Sequence, residues 1–180
     1  MKYLVCSDIH GSLPVLEKLL SHYQEMHCDQ LLFIGDLLNY GPRNSIPEGI
    51  DPQGIVKHLN AMAERIIAVR GNCDSEVDQM LCDFDLMSDY TWIVDNGTRI
   101  FLTHGHVFGE SHLPRAHFDI LFNGHTHLPH ITRLENGSVV VNTGIPTFPK
   151  GGNPPTFVIY EDRVVSLYDL EGTLLQSLHL

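Results

Sequence analysis

Tyr3-Leu4-Val5-Cys6-Ser7-Asp8-Ile9-His10 sets a short apolar run directly against a hydroxyl, a carboxylate and an imidazole. The same device recurs along the chain. Leu31-Leu32-Phe33-Ile34 runs into Gly35-Asp36, and Ile66-Ile67-Ala68-Val69 into Arg70-Gly71-Asn72-Cys73-Asp74. Ile100-Phe101-Leu102 runs into Thr103-His104-Gly105-His106, and Ile120-Leu121-Phe122 into Asn123-Gly124-His125-Thr126-His127. Unbroken apolar runs of this length read as strands buried on both faces.

Between the first two runs, Leu16, Leu19, Leu20 and Tyr23 repeat at helical spacing behind Ser12, an expected N-cap. Between the second and third, Asp51-Pro52 reads as a cap followed by proline in the first turn, with Ile55, Leu59 and Met62 as the apolar stripe. Strand, helix, strand, helix, strand is the signature of a largely parallel layer. After residue 130 the texture changes. Asn136-Gly137 predicts a two-residue turn between Ile131–Leu134 and Val139–Val141, and Glu161-Asp162 and Glu171-Gly172 predict two more hairpins. The last third is expected to form a mostly antiparallel sheet. The architecture drawn from these patterns is α/β, two sheets facing each other with helices outside. Residues 1–180 are expected to form one domain.

The chain carries 22 acidic and 11 basic residues, a formal charge of −11. That balance argues against a basic nucleic-acid face and against a polybasic membrane patch. It leaves phosphorylated substrates open, because bound cations reverse the local sign. The apolar start is too short for a secretory signal, and no run is long enough to span a bilayer. Cys6, Cys28, Cys73 and Cys82 have neither the C-x-x-C spacing nor the crowding of a disulfide scaffold. A cytoplasmic location is expected.

Ligands of open α/β sheets collect at the carboxyl ends of the strands. Asp8, His10, Asp36, Asn72, His104, His125 and His127 all fall just past such ends. Oxygen and imidazole donors together suit Mn, Fe, Ni or Zn better than calcium. Singly these motifs are weak: Asp-x-His is more often a capped turn, and Gly-Asp is ordinary turn chemistry. Their joint order at strand ends carries the argument. His22, His27, His58 and His179 read as solvated or structural, and His112, His117 and His130 stay open. Two Gly- and Pro-rich loops, 39–50 and 146–155, read equally as substrate walls or as connectors.

Asp8-x-His10, Gly35-Asp36, Gly71-Asn72, His104 and Gly124-His125-x-His127 resemble the signature blocks of the calcineurin-like metallophosphoesterase superfamily, from residue 1 to about residue 160. The stretches 39–44, 70–76 and 149–154 resemble more closely the small bacterial YfcE-type phosphodiesterases. The resemblance implies a four-layer α/β/β/α sandwich of two mixed sheets. It implies one divalent cation on Asp8, His10, Asp36 and His127, and a second on Asp36, Asn72, His104 and His125, with Mn(2+) the expected ion. Asp36 is expected to bridge, because a carboxylate has two oxygens. Two divalent cations against two carboxylates leave a site of about +2, which suits a phosphoryl group. Cations so placed hold a hydroxide nucleophile for in-line attack on a phosphodiester.

Asn72, Cys73, His104 and His106 are the catalytic candidates, and Arg43 and Asn44 the substrate-binding ones, with Lys150 a further cation for phosphate. Many superfamily members carry histidine where this chain has Cys73. A thiol matches the role of leaving-group acid poorly, which predicts a preference for activated aryl diesters. Asp74 and His106 are expected to orient ligands from behind. Close relatives tend to read Asn-Pro-Gly-Ser where this chain has Asn142-Thr143-Gly144-Ile145, so any polar role of that serine is lost. A phosphomonoesterase acting on a small metabolite is the second reading, and a non-catalytic protein-binding scaffold the third. Such relatives are often dimers or tetramers, which leaves a homo-oligomer open.

Overall fold

A computed structural model describes all of residues 1–180. The apolar runs become strands whose alternate residues point to different layers, as a period of two dictates. In β1 (Lys2–Cys6), Tyr3 and Val5 face one core while Leu4 and Cys6 face another. Leu31 and Phe33 of β2 (Gln30–Phe33) join the second set, and Leu32 the first. The connecting helix α1 (Leu13–Glu25) buries Leu16, Leu19 and Tyr23 on that second face. Helix α2 (Pro52–Asn60) adds Ile55 and Leu59 before β3 (Ile66–Ala68). The three strands pair in parallel, in the order of the chain.

The caps divide. Asp51 accepts a bond from the Gly54 amide (2.9 Å) and caps α2 as expected. Ser12 does not cap α1; its hydroxyl donates to the Glu48 carbonyl (2.9 Å) and fastens the 39–50 loop instead. A short helix α3 (Glu76–Gln79) opens on a capping box made by Ser75 and Asp78.

The second sheet begins with a hairpin the sequence reading missed. Strands β4 (Tyr90–Asp95) and β5 (Thr98–Thr103) are joined by Asn96-Gly97, both at positive φ (47° and 80°). That dipeptide is the strongest short hairpin signal, and the twist of this turn matches the strands. Then come β6 (Ile120–Asn123), β7 (His130–Arg133) and β8 (Val139–Asn142), in the order β4-β5-β6-β8-β7. The Asn136-Gly137 turn has three residues rather than two: the Leu134 amide bonds the Ser138 carbonyl (2.8 Å) around Glu135-Asn136-Gly137.

The last third is antiparallel apart from the pairing of β8 with β6, and it does not form a sheet of its own. Its β7–β8 hairpin belongs to the second sheet, whereas β9 (Thr156–Glu161), β10 (Val164–Asp169) and β11 (Leu174–His179) extend the first beyond β1. Val158 and Tyr160 of β9 share the inter-sheet core with Tyr3, Val5, Ile120, Phe122 and Val141.

The two facing mixed sheets and the α/β class stand as expected, with α1 and α2 outside the first sheet. Outside the second sheet the covering layer is irregular chain. Phe108, Leu113 and Phe118 pack there on Phe101, Leu121 and Val140. Gly105, Gly109 and Pro114 break that stretch too often for a helix. No helix is long and apolar enough to cross a membrane.

Candidate metal centre

Strands β1, β2 and β3 of the first sheet are parallel, and so are β5, β6 and β8 of the second. Both sheets therefore present a row of carboxyl ends, and the loops leaving them are stitched together. The Asp8 amide bonds the Gly35 carbonyl and the His10 amide the Asp36 carbonyl (2.9 Å each). The Gly124 amide bonds the His104 carbonyl and the Thr143 amide the Asn123 carbonyl (2.8 Å each).

Asp8, His10, Asp36, His125 and His127 all sit at positive φ, between 52° and 65°. Non-glycine residues adopt this region at a cost of order 1 kcal/mol each, and such strain clusters at functional sites. The left-handed turn at alternate residues in His125-Thr126-His127 is what brings that loop back over Asp8. Asn142 secures it by donating to the Gly124 carbonyl (2.8 Å) and to Thr126 Oγ1 (2.9 Å).

The side chains converge. His127 Nε2 lies 3.1 Å and His10 Nε2 3.4 Å from Asp8 Oδ1. On the other side, Asp36 Oδ2 lies 3.8 Å from His10 Nε2 and 3.5 Å from His104 Nε2. Asn72 Oδ1 is 3.3 Å from His104 Nε2, and the His125 ring packs 5.1 Å from that of His104. Asp8, His10, Asp36, His104 and His127 are all buried.

Two backbone carbonyls decide which imidazole nitrogen faces the centre. A carbonyl only accepts, so His10 Nδ1 donates to Asn39 O (2.9 Å) and His104 Nδ1 to Ile34 O (2.8 Å). Each Nε2 then turns a lone pair toward carboxylate oxygen, an arrangement that needs positive charge between the two. His10 Nε2 is buried and has no hydrogen-bond partner. The titration of these groups carries the same message. Burial alone would raise the Asp8 pKa, but the surrounding imidazoles of His104, His10 and His127 hold it well below the carboxylate range. Burial would lower His10, yet Asp8 raises it. Protons thus stand where cations fit, and the donor set suits them. Asp8, His10 and His127 offer atoms within 4.8 Å of one another, as do Asp8, Asp36 and His104, and His10, Asp36 and Cys73.

Asp36 Oδ1 is occupied by the Cys73 amide (2.8 Å), so Oδ2 alone lies between His10 and His104. Asp74 fixes the backbone at Asp36 from behind. It is buried, and accepts from the Asp36 amide (2.8 Å) and the Gly71 amide (2.7 Å) on Oδ2 and from the Leu37 amide (2.8 Å) on Oδ1. Burial raises its pKa against those three bonds. Gly71 and Gly124 permit the close approach. A Cβ on Gly71 would fall 2.0 Å from Asp36 Oδ1, and one on Gly124 2.1 Å from Ser7 Oγ.

A cleft of about 640 Å³ opens above the centre. His10, Asp36, Asn72, Cys73, His125 and His127 form its floor, and both Gly- and Pro-rich loops form walls, through Asn39–Asn44 and Lys150. Arg43 lines it. Asn44 lines it too, although its amide already donates to the Tyr40 carbonyl (2.7 Å). Cys73 turns its sulfur toward Asn72 Nδ2 (3.2 Å), and burial and Asp36 push its thiol up to about 12. His106 packs 5.4 Å from the His104 ring without lining the cleft, and burial and His104 lower its pKa.

The other histidines stay away from the cleft. His22 Nε2 meets the Leu170 carbonyl (3.0 Å), and His58 lies 3.8 Å from Glu17. His117 lies 3.5 Å from Asp119, His112 packs on Phe108, and His130 meets Glu110. Ser7 and Thr143, both fully buried beside Asp8, had no part in the sequence reading of the site. A signal was present in part, since a serine directly before the first ligand is polar at the end of an apolar run.

Two facing mixed sheets with histidine and carboxylate side chains gathered at their carboxyl ends define a metallophosphoesterase fold, and the chain belongs to the calcineurin-like phosphoesterase superfamily, whose domain description matches residues 1–163. Over 172 residues it is 44% identical to phosphodiesterase YfcE of Escherichia coli K12, covering 94% of this chain and 92% of the relative. The solved structure of Yfce, a phosphoesterase from E. coli, superposes with a TM-score of 0.94 at 41% identity, covering 99% of this chain and 98% of that one. Vps29 of Entamoeba histolytica, solved in complex with zinc, shares the fold with a TM-score of 0.65 at 20% identity, covering 99% and 98%.

Proposed function

We propose that this chain is a phosphodiesterase that works with two divalent cations, Mn(2+) being the expected ion. One cation would be held by Asp8, His10, Asp36 and His127, the other by Asp36, Asn72, His104 and His125. The observation that carries the reading is the pair of imidazoles, His10 and His104. Backbone carbonyls fix both so that each Nε2 faces the same oxygen of Asp36, at 3.8 and 3.5 Å. Asp36 Oδ1 accepts from the Cys73 amide, and Oδ2 is the oxygen turned toward both rings. Bound there, divalent cations supply Lewis acidity toward the phosphoryl oxygens and lower the pKa of water they coordinate.

The protein's own part is placement and charge. The Asn39 and Ile34 carbonyls hold the two rings in the ligating tautomer, and Asp74 with the Cys73 amide holds Asp36. Arg43 and Lys150 reach the cleft from separate loops and provide cations for the substrate's anionic oxygens in an otherwise acidic chain. Cys73 beside Asn72 gives the departing oxygen a weak acid, which favours aryl diesters, whose leaving groups need no proton.

The test compares bis-aryl diester with aryl monoester hydrolysis in protein stripped by a chelator and then reloaded with Mn(2+). Activity should vanish on stripping, return with Mn(2+), and favour the diester. Faster monoester hydrolysis would move the assignment to a phosphomonoesterase. Hydrolysis that is absent with every divalent ion would leave a scaffold.

A further inference from the structure

Resting on the two-cation reading, we infer that Ser7 and Thr143 form a buried hydroxyl relay that selects which oxygen of Asp8 a cation receives. They are positioning residues for the cation position built by Asp8, His10 and His127. Ser7, Asp8 and Thr143 are all fully buried. Ser7 Oγ lies 2.5 Å from Asp8 Oδ2 and 3.1 Å from Thr143 Oγ1.

The direction of the relay follows from counting protons. A ligating carboxylate has none, so it only accepts. The single proton of Ser7 goes to Asp8 Oδ2, and the single proton of Thr143 then goes to Ser7. The alternative acceptor for both hydroxyls, the Gly144 carbonyl, is farther away at 3.4 Å from Thr143 Oγ1 and 3.5 Å from Ser7 Oγ. The His125 amide donates to the same Oδ2 (3.1 Å). That oxygen therefore carries two donors, and Oδ1 is left to face His127 Nε2 and His10 Nε2 at 3.1 and 3.4 Å.

The relay also spans the two sheets. Ser7 follows β1 of the first, while Thr143 follows β8 of the second. Thr143 is itself pinned, its amide to the Asn123 carbonyl (2.8 Å) and its carbonyl by Thr156 Oγ1 (2.7 Å). The cation geometry thereby depends on how the sheets are docked, through two hydroxyls that never touch the cation.

Calorimetric titration of chelator-stripped protein with Mn(2+) tests this without reference to activity. The wild type should bind two ions. Ser7→Ala should weaken one of the two by about 10- to 100-fold and leave the other close to wild type, the range known for groups that orient metal ligands. Thr143→Val, which keeps the shape but removes the hydroxyl, should weaken the same ion; Thr143→Ser, which keeps the hydroxyl, should not. Val158→Ala, in the inter-sheet core, should lower the melting temperature yet bind both ions normally. Wild-type affinity in Ser7→Ala and Thr143→Val overturns the relay, as does equal weakening in Val158→Ala. Should Ser7→Ala not fold, the Thr143 pair decides alone. A wild type that binds no Mn(2+) overturns the two-cation reading itself, a distinct result.

Discussion

Replacing Gly71 with alanine should damage the centre far more than the fold. The residue is buried, but its φ is not in the left-handed region, so the backbone itself accepts alanine. The obstacle is contact: the new Cβ would stand 2.0 Å from Asp36 Oδ1 and 2.5 Å from the Asp36 amide nitrogen. Ordinary contact begins at about 3.5 Å, so the carboxylate must retreat by roughly 1.5 Å. The two backbones cannot simply part, because one oxygen of Asp74 accepts from both the Gly71 and the Asp36 amides, at 2.7 and 2.8 Å. Asp36 must swing off the Cys73 amide and out from between His10 and His104, while the contact with its amide nitrogen strains both bonds to Asp74. A misplacement of about 1 Å costs on the order of 100-fold in rate. Overpacking costs about 1–3 kcal/mol, or roughly 2–12 °C in melting temperature for a domain of this size. The assay is kcat/KM on a bis-aryl diester with Mn(2+), alongside bound-metal analysis and a melting curve. Gly137→Ala is the control: no atom lies within 4 Å of its Cβ, and only its φ of 89° is strained. It should lose stability and keep activity. If Gly71→Ala retains kcat/KM within about threefold and binds metal normally, the close packing of Gly71 on Asp36 does not set the geometry of the site.

Asp74→Ala orphans three amides at about 1–3 kcal/mol each, a large part of a domain's stability, whereas Asp74→Asn keeps an acceptor for two of them and should unfold at clearly higher urea; equal damage would contradict the hydrogen-bond account. Alkaline pH should destabilise the protein through its buried thiols. Burial raises Cys28 and Cys82 from 9.0 to about 11, so the folded state holds their protons longer than the unfolded chain does. The stability they contribute is full below pH 9 and is lost as pH rises toward 11, by at most about 2–3 kcal/mol per thiol. Denaturation at pH 8 and pH 10.5, in the wild type and in a Cys28→Ala, Cys82→Ala double variant, should show a smaller loss in the variant; equal losses would assign the effect elsewhere.

The first three strands and their helices were readable because each is decided locally. An apolar run of four residues between polar clusters makes a strand, and Asp51-Pro52 starts a helix wherever the chain lies. Ser12 shows the limit of that logic. The spacing marks it as a cap, but its hydroxyl finds the Glu48 carbonyl, 36 residues away, and that choice depends on where the loop folds back. The β4–β5 hairpin was legible in Trp92-Ile93-Val94 followed by Asn96-Gly97, but the half-buried position of that strand at the sheet edge had no sign in those residues. The allocation of β9 to β11 to the first sheet had no local sign. Antiparallel pairing looks the same in either sheet until Val158 and Tyr160 choose a core.

All seven expected ligand positions gather around the centre, since parallel strands deliver whatever follows them to one edge. Residue types and order thus determined by themselves the class of fold and the chemistry its strand ends would offer. Which oxygen of Asp36 stands between the imidazoles, which nitrogen of His10 and His104 faces inward, and the enlistment of Ser7, Asp74 and Thr143 were decided by tertiary structure. Hydrogen bonds of about 3 Å select single atoms, and the partners here are as far apart in the chain as Ser7 and Thr143, 136 residues. Spacing along a sequence carries no information at that distance.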